Sequence, residues 1–241
     1  MFFCIRIMSV KKTQKGVFMN SFKDENSLIL ETLIGIFSVN KGKIKILLMR
    51  KKDDPYKGHW ILPGSILNVN ETLEDNVNSV INVKLGLPSM YIEQCYTFSE
   101  FNRNQDARIL ATSYIGLIDN ITLVLKKQDR EGIELEWFDI NSIPKTAYDH
   151  DQIIAKLVEY LRKRITNSNI LRILFPSDFT LPELQKVYEQ ILNIKIDRRN
   201  FRKKLLNLDY VVYTGDVNEG YMGRPAKLYR FNEELKERNI F

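Results

Sequence analysis

Two glutamates near the start of a segment with helical spacing, Glu71 and Glu74, are the first residues whose types could do chemistry. Carboxylate oxygens are the ligands that Mg²⁺ prefers, and a bound Mg²⁺ can polarise a diphosphate for hydrolysis. Acids at a helix N-terminus are also stabilised by the helix dipole without any metal. The pair therefore indicates either a hydrolase with nonstandard carboxylates, drawn from Glu71, Glu74 and Glu100, or acids with a structural role. Because a lone pair of surface acids near a helix N-terminus more often interacts with the helix dipole than with a metal, we expect no metal site.

A second group of residues has the chemistry to bind a nucleotide or a sugar phosphate. An arginine guanidinium can hold two phosphate oxygens at once, which favours arginine over lysine for this contact. A tryptophan ring offers a flat surface for stacking. The alternative for each charged residue is a solvated surface position, and for the tryptophan a place in the core. The candidate ligand-binding residues are Arg50, Lys51, Lys52, Trp60, Glu71, Arg103, Asp106 and Arg108.

Basic residues of the C-terminal part are concentrated on a predicted helix that begins after Asp197, a favourable N-cap. Its apolar residues Phe201, Leu205 and Leu208 are spaced i, i+4 and i+7 and predict a buried stripe, and the basic residues lie away from it. Such a face suits DNA, because lysine and arginine neutralise phosphates and Asn200 can pair bidentately with adenine. The alternative is a charged face that is merely solvated.

The elements around this helix predict a winged helix-turn-helix. Thr180 and Glu183 fit a capping box that starts the preceding helix, and only the residues NIKI separate the two helices. Residues 210–231 then predict two strands around a Gly-rich, basic tip, for which an ordinary hairpin turn is the alternative. The candidate DNA-binding residues are Arg198, Arg199, Asn200, Arg202, Lys203, Lys204, Arg224 and Lys227.

The first part of the chain predicts strands around one amphipathic helix. Two β-rich runs between residues 28 and 49 are joined by a turn at Asn40-Lys41-Gly42, which is typical of a hairpin. A helix follows over 71–85 and ends at Gly86, and strands are predicted at 91–98 and 109–118. After the runs ITLVL and LEWFDI, a long helix begins near His150. This order predicts an α/β (α+β) domain.

Composition and charge limit these interpretations. The 241 residues, 44% of them hydrophobic, are enough for two modest domains. The net charge of +6 lies mainly in the second part, since residues 1–144 carry a balance of +1 and residues 145–241 a balance of +5. Cys4 and Cys95 have no paired spacing, so neither a disulfide nor a zinc site is indicated and a reducing cytoplasm fits. The apolar start is too short to span a bilayer, and we expect no membrane association.

The segment HWILPGSILNVNETLEDNVNSVINVKLGL resembles the Nudix box. Ser65 takes the place of the first glycine, Glu71 matches the first glutamate, and Gly86 and Leu87 match the closing positions. In active Nudix enzymes, the later glutamates hold Mg²⁺ against a diphosphate. The arginine and three later glutamates of the family pattern align here with Ser79, Val80, Val83 and Lys84. The resemblance therefore implies a domain that binds a ligand without turnover.

Together, these parts resemble the NrtR family of Nudix-related transcriptional regulators. The most specific pieces are AYDHDQII, FTLPELQKVYEQIL, DRRNFRKKLL and GRPAKLYRF. The resemblance implies an α/β (α+β) Nudix-like sandwich domain followed by an α+β winged helix, which we place at residues 23–146 and 147–241 after a leader at 1–22. It also implies a homodimeric repressor of genes for NAD or sugar metabolism. Such a repressor binds a palindromic operator on double-stranded DNA, needs no cofactor and is released by ADP-ribose or a sugar or nucleotide-sugar phosphate.

Two rival classes stay open, the hydrolase above and a nonspecific nucleic-acid-binding protein that uses only the basic face. A ligand can change DNA affinity only through its different affinity for two arrangements of the domains. Tyr148, Asp149 and His150, at the start of the long helix, are placed to transmit such a change. The alternative for His150 is a helix cap or a core residue.

Overall fold

The computed structural model describes residues 28–105, 107–119, 133–175, 177–218 and 225–234. The predicted leader, the run ITLVL, Asp106 and the wing tip with Arg224 lie outside these residues. The strands are β1 (Leu28–Asn40), β2 (Lys43–Arg50), β3 (Trp60–Ile61), β4 (Gly64–Ile66), β5 (Tyr91–Phe98), β6 (Arg108–Leu117), β7 (Leu135–Asp139), β8 (Phe179–Thr180), β9 (Val211–Asn218) and β10 (Ala226–Phe231). The helices are α1 (Leu73–Ser79), α2 (His150–Asn167), α3 (Leu181–Leu192) and α4 (Arg198–Asn207).

A mixed sheet around the long strand β1 organises the first part of the chain. Strand β6 runs parallel to β1, from Leu28 opposite Arg108 to Phe37 opposite Leu117. Strand β2 pairs antiparallel with the C-terminal half of β1, and β4 pairs with its N-terminal half. The order across the sheet is β3-β2-β1-β6-β5, and β7 pairs with β2. A central strand buried on both faces explains the nearly continuous apolar run in β1.

The predicted hairpin between β1 and β2 is present. Lys41 and Gly42 both have positive φ angles, 51° and 71°, and Asn40 pairs with Lys43 across the turn. Two consecutive residues in the left-handed region form the tight turn whose twist matches that of the flanking strands, and glycine takes this conformation without strain.

The helix after Glu71 starts slightly later than predicted and changes its winding before Gly86. The side chain of Thr72 caps α1 by accepting from the Asp75 backbone N–H, and Asp75 reaches back to Thr72 in a capping box. A π-helical turn, Val80–Lys84, follows α1 directly. Gly86, with φ 60°, then ends the helical segment as expected.

Helices cover both faces of the sheet. The helix α1 and its π-turn pack Val77, Val80 and Ile81 into one cluster, and α2 packs Ile153, Ile154 and Leu157 into the other. The approach of α2 is close: a Cβ on Gly35 of β1 would lie 2.7 Å from Leu157 Cδ1. Glycine at this position therefore lets α2 rest directly on the sheet.

The long helix α2 contacts both parts of the chain. It packs on β5 and β6, and it also contacts α3. One core cluster consequently runs without a break from the sheet through α2 into the C-terminal helices. The predicted boundary between residues 146 and 147 assigns α2 wholly to the second domain. Because α2 packs on both parts of the chain, this boundary stays a prediction.

The C-terminal part has the predicted order of elements. A short 3₁₀ turn, Ile170–Leu174, leads to β8 and then to α3, whose capping box joins Thr180 and Glu183. Asn193, in the left-handed conformation, ends α3, and Asp197 caps α4 by accepting from the Asn200 backbone N–H. The small sheet has the order β8-β10-β9.

Candidate functional site

The basic helix α4 presents its charges on one open face. Phe201 and Leu205 are buried, and the face opposite carries exposed side chains. Phe201 is anchored against Tyr188 of α3, with ring centroids 5.6 Å apart. All six residues of the predicted DNA-binding set that lie on this helix are exposed: Arg198, Arg199, Asn200, Arg202, Lys203 and Lys204.

Two side chains of α3 fix the turn that leads into α4. Gln185 Nε2 donates to the Ile196 carbonyl at 2.9 Å, and the Ile196 N–H donates to Glu189 Oε1 at 2.9 Å. This backbone hydrogen bond is the main cause of the lowered pKa of the Glu189 carboxyl. The angle between the two helices is therefore set by polar contacts as well as by the apolar core.

The described part of the wing positions one lysine. Lys227 is exposed, and its Nζ lies 4.7 Å from the centroid of the Tyr213 ring. Tyr213 is itself held, because its hydroxyl donates to the Gly215 carbonyl at 2.9 Å. A cation over an aromatic face is attracted by about 0.5–1 kcal/mol at an exposed site, so the ring restrains the ammonium beside the strand.

A lysine occupies the region where the Nudix-box resemblance predicts catalytic carboxylates. Lys84 Nζ donates to the Gly64 carbonyl at 2.7 Å, and burial lowers the pKa of this ammonium. Glu71 is held by two asparagines: Asn76 Nδ2 and Asn68 Nδ2 each donate to it at 2.9 Å. These bonds, that from Asn76 above all, lower the Glu71 pKa. Among the described residues, no three His, Cys, Asp or Glu side chains are arranged to hold a metal ion.

Part of the predicted ligand set does meet, at the end of β2. Arg50 and Trp60 are paired across β2 and β3, and the Arg50 guanidinium lies 5.7 Å from the centroid of the indole. Arg50 is also held by Glu134, with Nη1 to Oε1 at 2.9 Å. Lys51 Nζ donates to the Asp53 carbonyl, and Lys52 is exposed. We refer to Arg50, Lys51, Lys52 and Trp60 as the basic patch.

The other predicted ligand arginines lie elsewhere and are occupied. Arg103 is buried, and its guanidinium bonds Asp149 at 2.6 and 3.0 Å and Glu31 at 3.2 Å. Arg108 donates to the carbonyls of Ser99 and Glu100 at 2.7 and 2.8 Å. These contacts hold the loop before β6, so the geometry does not favour either arginine as a free phosphate ligand.

Sequence reasoning missed a cavity of about 490 Å³ on the α1 face of the sheet. It offers hydroxyl, amide and carboxylate groups, and none of its described lining residues is basic, so it does not fit a phosphate group. Within it, the Tyr114 hydroxyl donates to Gln94 Oε1 at 3.3 Å. The available signal was the spacing of Ile92 and Gln94, which are two residues apart on β5 and therefore face the same side of the sheet. The lining residues are Thr72, Leu73, Glu74, Val77, Asn78, Ile92, Gln94 and Tyr114.

The first turn of α2 is tied to the sheet. His150 Nδ1 accepts from the Leu62 backbone N–H at 2.9 Å, and burial, with a smaller effect of Arg103, lowers the pKa of His150 to about 3. Tyr148 has a φ angle of 53° and contacts the Tyr56 ring at a centroid distance of 4.9 Å. Of the alternatives weighed for His150, the structure supports the core residue, in its neutral form.

The buried neutral His150 predicts a loss of stability in acid. Because its pKa is lowered on folding from about 6.5 to about 3, the unfolded chain binds a proton first as the pH falls below 6.5. Lowering the pH from 7 to 5 should therefore reduce the free energy of unfolding by about 2 kcal/mol through this group.

The test is urea unfolding at pH 7 and pH 5. His59 is the other of the two histidines and supplies a matched control. H150Q, in which the amide can accept from Leu62, should remove most of the pH dependence between these values, and H59Q should keep it. Equal pH dependence in H150Q and the parent chain would contradict this assignment.

Known proteins are similar both to the C-terminal winged helix and to the chain as a whole. The family model of the NrtR DNA-binding winged helix domain matches residues 171–231. The ADPR responsive transcriptional repressor NtrR of Acinetobacter baylyi is 28% identical over 214 residues, covering 86% of this chain and 84% of that protein. An ADP-ribose pyrophosphatase of Methanocaldococcus jannaschii is 29% identical over 152 residues, covering 63% of this chain and 86% of the pyrophosphatase.

Among solved structures, Shewanella oneidensis NrtR in complex with a 27mer DNA has a TM-score of 0.69 and 27% identity, over 84% of this chain and 93% of that one. A MutT/nudix family protein from Enterococcus faecalis shares the fold, with a TM-score of 0.63 over 86% of this chain and 89% of that one, at 24% identity. No helix among the described residues is long and apolar enough to cross a membrane.

The mixed sheet between helices, followed by a capped helix pair and a wing, defines a transcriptional regulator with a Nudix domain and a winged helix. Within that class, the chain is an NrtR-like regulator. The fold class expected from the sequence is confirmed.

Proposed function

We propose that this chain is a homodimeric transcriptional repressor that binds a palindromic operator in the cytoplasm and is released by ADP-ribose. The observation that carries the proposal is the open basic face of α4 on a helix pair with fixed geometry. A helix-turn-helix protein reads bases with the first turns of its second helix, and Arg198, Arg199, Asn200 and Arg202 occupy those turns. We assign Lys203, Lys204 and Lys227 to phosphate contacts. Arg224 lies outside the described residues, and its assignment to a minor-groove contact rests on the sequence alone.

The choice of ADP-ribose rests on two relatives with different activities. One is named as an ADPR responsive repressor and the other as an ADP-ribose pyrophosphatase. We propose the basic patch as the place where the diphosphate is held, because Arg50 lies beside the Trp60 ring and two lysines follow it. Arg50 is itself paired with Glu134, but the two side chains are 46% and 53% exposed, so a diphosphate can displace this partner. Glu71, Arg103 and Arg108 are satisfied by protein partners and are not carried into this site.

We further propose that ADP-ribose is bound and not hydrolysed. An ammonium group on the Gly64 carbonyl repels a divalent cation, and Glu71 is occupied by two asparagine side chains. The relationship to the pyrophosphatase keeps a hydrolase with Glu71, Glu74 and Glu100 as the rival candidate. These three carboxylates lie in different places: Glu71 is bonded by asparagines, Glu74 lines the cavity, and Glu100 lies in the β5–β6 loop.

The DNA proposal predicts that base contacts and phosphate contacts can be separated. R199A or R202A should each lose about 1–3 kcal/mol of binding on the operator, because a bidentate base contact is removed, and much less on a scrambled duplex. K227A should weaken both duplexes alike and reduce the slope of log K against log salt by about 0.9.

The measurement is fluorescence anisotropy at several salt concentrations, with an operator selected from random duplexes by the wild-type chain. K156A is a matched surface control on α2, where Lys156 is exposed and paired with Glu159. If R199A, R202A and K227A all lost affinity equally on both duplexes, α4 would be an electrostatic clamp and the nonspecific rival would be preferred.

A further inference from the structure

Gln190 of α3 hydrogen-bonds the winged helix to the Nudix sheet, in addition to the bonds that Tyr160 and Arg164 of α2 make to Glu93 of β5. Gln190 Oε1 accepts from the Ile44 backbone N–H at 2.7 Å. Its Nε2 donates to Asp139 Oδ1 at 2.6 Å and lies 3.4 Å from the Ile44 carbonyl. The carboxamide therefore engages β2 and the end of β7 at the same time.

A carboxamide suits this position because of where β7 ends. The last residue of β7, Asp139, pairs with Lys45, so the next residue of β2 in this direction, Ile44, lies beyond the pairing with β7. Gln190 carries an acceptor oxygen and an amino group with two donor hydrogens, so it can bond both backbone groups of Ile44, as a neighbouring strand would, and Asp139 as well. Ile44 is fully buried, so its N–H has a strong requirement for this partner.

The same two strands carry the basic patch at their other end. Arg50 ends β2, and its backbone N–H donates to the Glu134 carbonyl, just before β7, at 2.9 Å. Arg50 lies six positions after Ile44 along β2, which is about 20 Å at ~3.3 Å per residue. A ligand on the patch would thus bind one end of a paired, rigid ribbon whose other end holds α3.

From Gln190 the connection continues to the DNA-binding helix. Gln185 and Glu189, on the same helix, bond the Ile196 backbone at the entry to α4. Arg162 of α2 supports α3 from another side by donating to the Ile191 carbonyl. His150 and Asp149, at the predicted junction, bond Leu62 and Arg103 of the first domain, and so tie the start of α2 and not α3 to the sheet.

We infer that Gln190 is the positioning residue through which the ligand state of the sheet sets the orientation of the winged helix. The inference rests on the proposed function, because it assigns the route of its regulation. Gln190 touches neither the basic patch nor the exposed face of α4, so its role is to fix the relative position of two binding surfaces.

The test is the ratio of DNA dissociation constants with and without ADP-ribose. This ratio should be about 5–150 in the wild-type chain, the usual range for allosteric coupling. Q190E places a second carboxylate against Asp139 and should reduce the ratio to below about 2. In the double variant Q190E/D139N, the new amide can donate to the new carboxylate, and most of the wild-type ratio should return. Because ADP-ribose itself stabilises the folded chain, thermal unfolding of each variant in both arms is used to check that the ratio does not reflect loss of folded protein.

Q152L removes an exposed glutamine from α2 and should behave as the wild type. A wild-type ratio in Q190E, or failure of D139N to restore a lost ratio, would overturn the inference. Its failure is separable from that of the proposed function, which fails if the wild-type chain itself shows no response to ADP-ribose. Amide exchange tests the docking contact without any ligand: in Q190L the Ile44 N–H should exchange about tenfold faster. Unchanged exchange at Ile44 would also overturn the inference.

Discussion

Replacing Arg103 by leucine should lower the free energy of unfolding by about 3 kcal/mol. The guanidinium is buried between Glu31 and Asp149, and its removal leaves two carboxylates facing each other without a cation. Burial already raises the pKa of Glu31, and Arg103 is the main group that opposes this rise. Breaking a buried pair costs about 3–5 kcal/mol, and the side chains of Glu31 and Asp149 keep 21% and 14% of their exposure, which favours the lower end.

Arg108, the first residue of β6, offers a matched control at the end of the same loop. Its guanidinium donates to two exposed carbonyls and lies over the Phe101 ring, 4.5 Å from the centroid. R108L should cost about 1 kcal/mol, since the carbonyls can bond water instead. Urea unfolding at pH 7 measures both losses. Equal losses in R103L and R108L would show that the buried ion cluster has no special role.

The local features of this fold could be predicted from the sequence. The turn at Asn40-Lys41-Gly42, the cap at Thr180 and the cap at Asp197 each depend on residues within a few positions of one another. The amphipathic spacing in α4 placed Phe201 and Leu205 inside for the same reason. The helical part of the predicted DNA face follows directly from that spacing, because side chains opposite a buried stripe must face solvent.

Contacts between residues far apart in sequence could not be predicted. Arg103 looks like a phosphate ligand in a polar loop, and its acidic partners are 72 and 46 residues away. Gln190 meets Ile44 across 146 residues, and no local pattern distinguishes it from a solvated glutamine. The π-helical turn after Ser79 likewise depends on how Val80 and Ile81 pack against the sheet.

ADP-ribose should release this chain from its operator by weakening DNA binding about 5–150-fold, and it should remain intact while doing so. The weakening corresponds to a coupling free energy of ~1–3 kcal/mol between the two sites. The basic patch and α4 lie in different domains, so the effect requires ADP-ribose to bind one domain arrangement better than the other. We expect the ligand to stay intact because Lys84, bonded to the Gly64 carbonyl, aligns with a glutamate of the Nudix-box pattern that this segment resembles.

Matched variants separate the parts of this claim. R50A should keep its DNA affinity without ligand and lose most of the ADP-ribose response, because Arg50 belongs to the basic patch. R199A should bind the operator weakly and keep its affinity for ADP-ribose. Ribose 5-phosphate and adenosine serve as control ligands, since each carries only part of ADP-ribose.

The most direct measurement is a single anisotropy experiment on the labelled operator with Mg²⁺ present, followed by quantification of the ADP-ribose recovered. We expect ADP-ribose to release the DNA and to be recovered unchanged. Two results would contradict this expectation: equal operator affinity with and without saturating ADP-ribose, or consumption of ADP-ribose at rates on the order of 1–10³ per second, as for a typical enzyme.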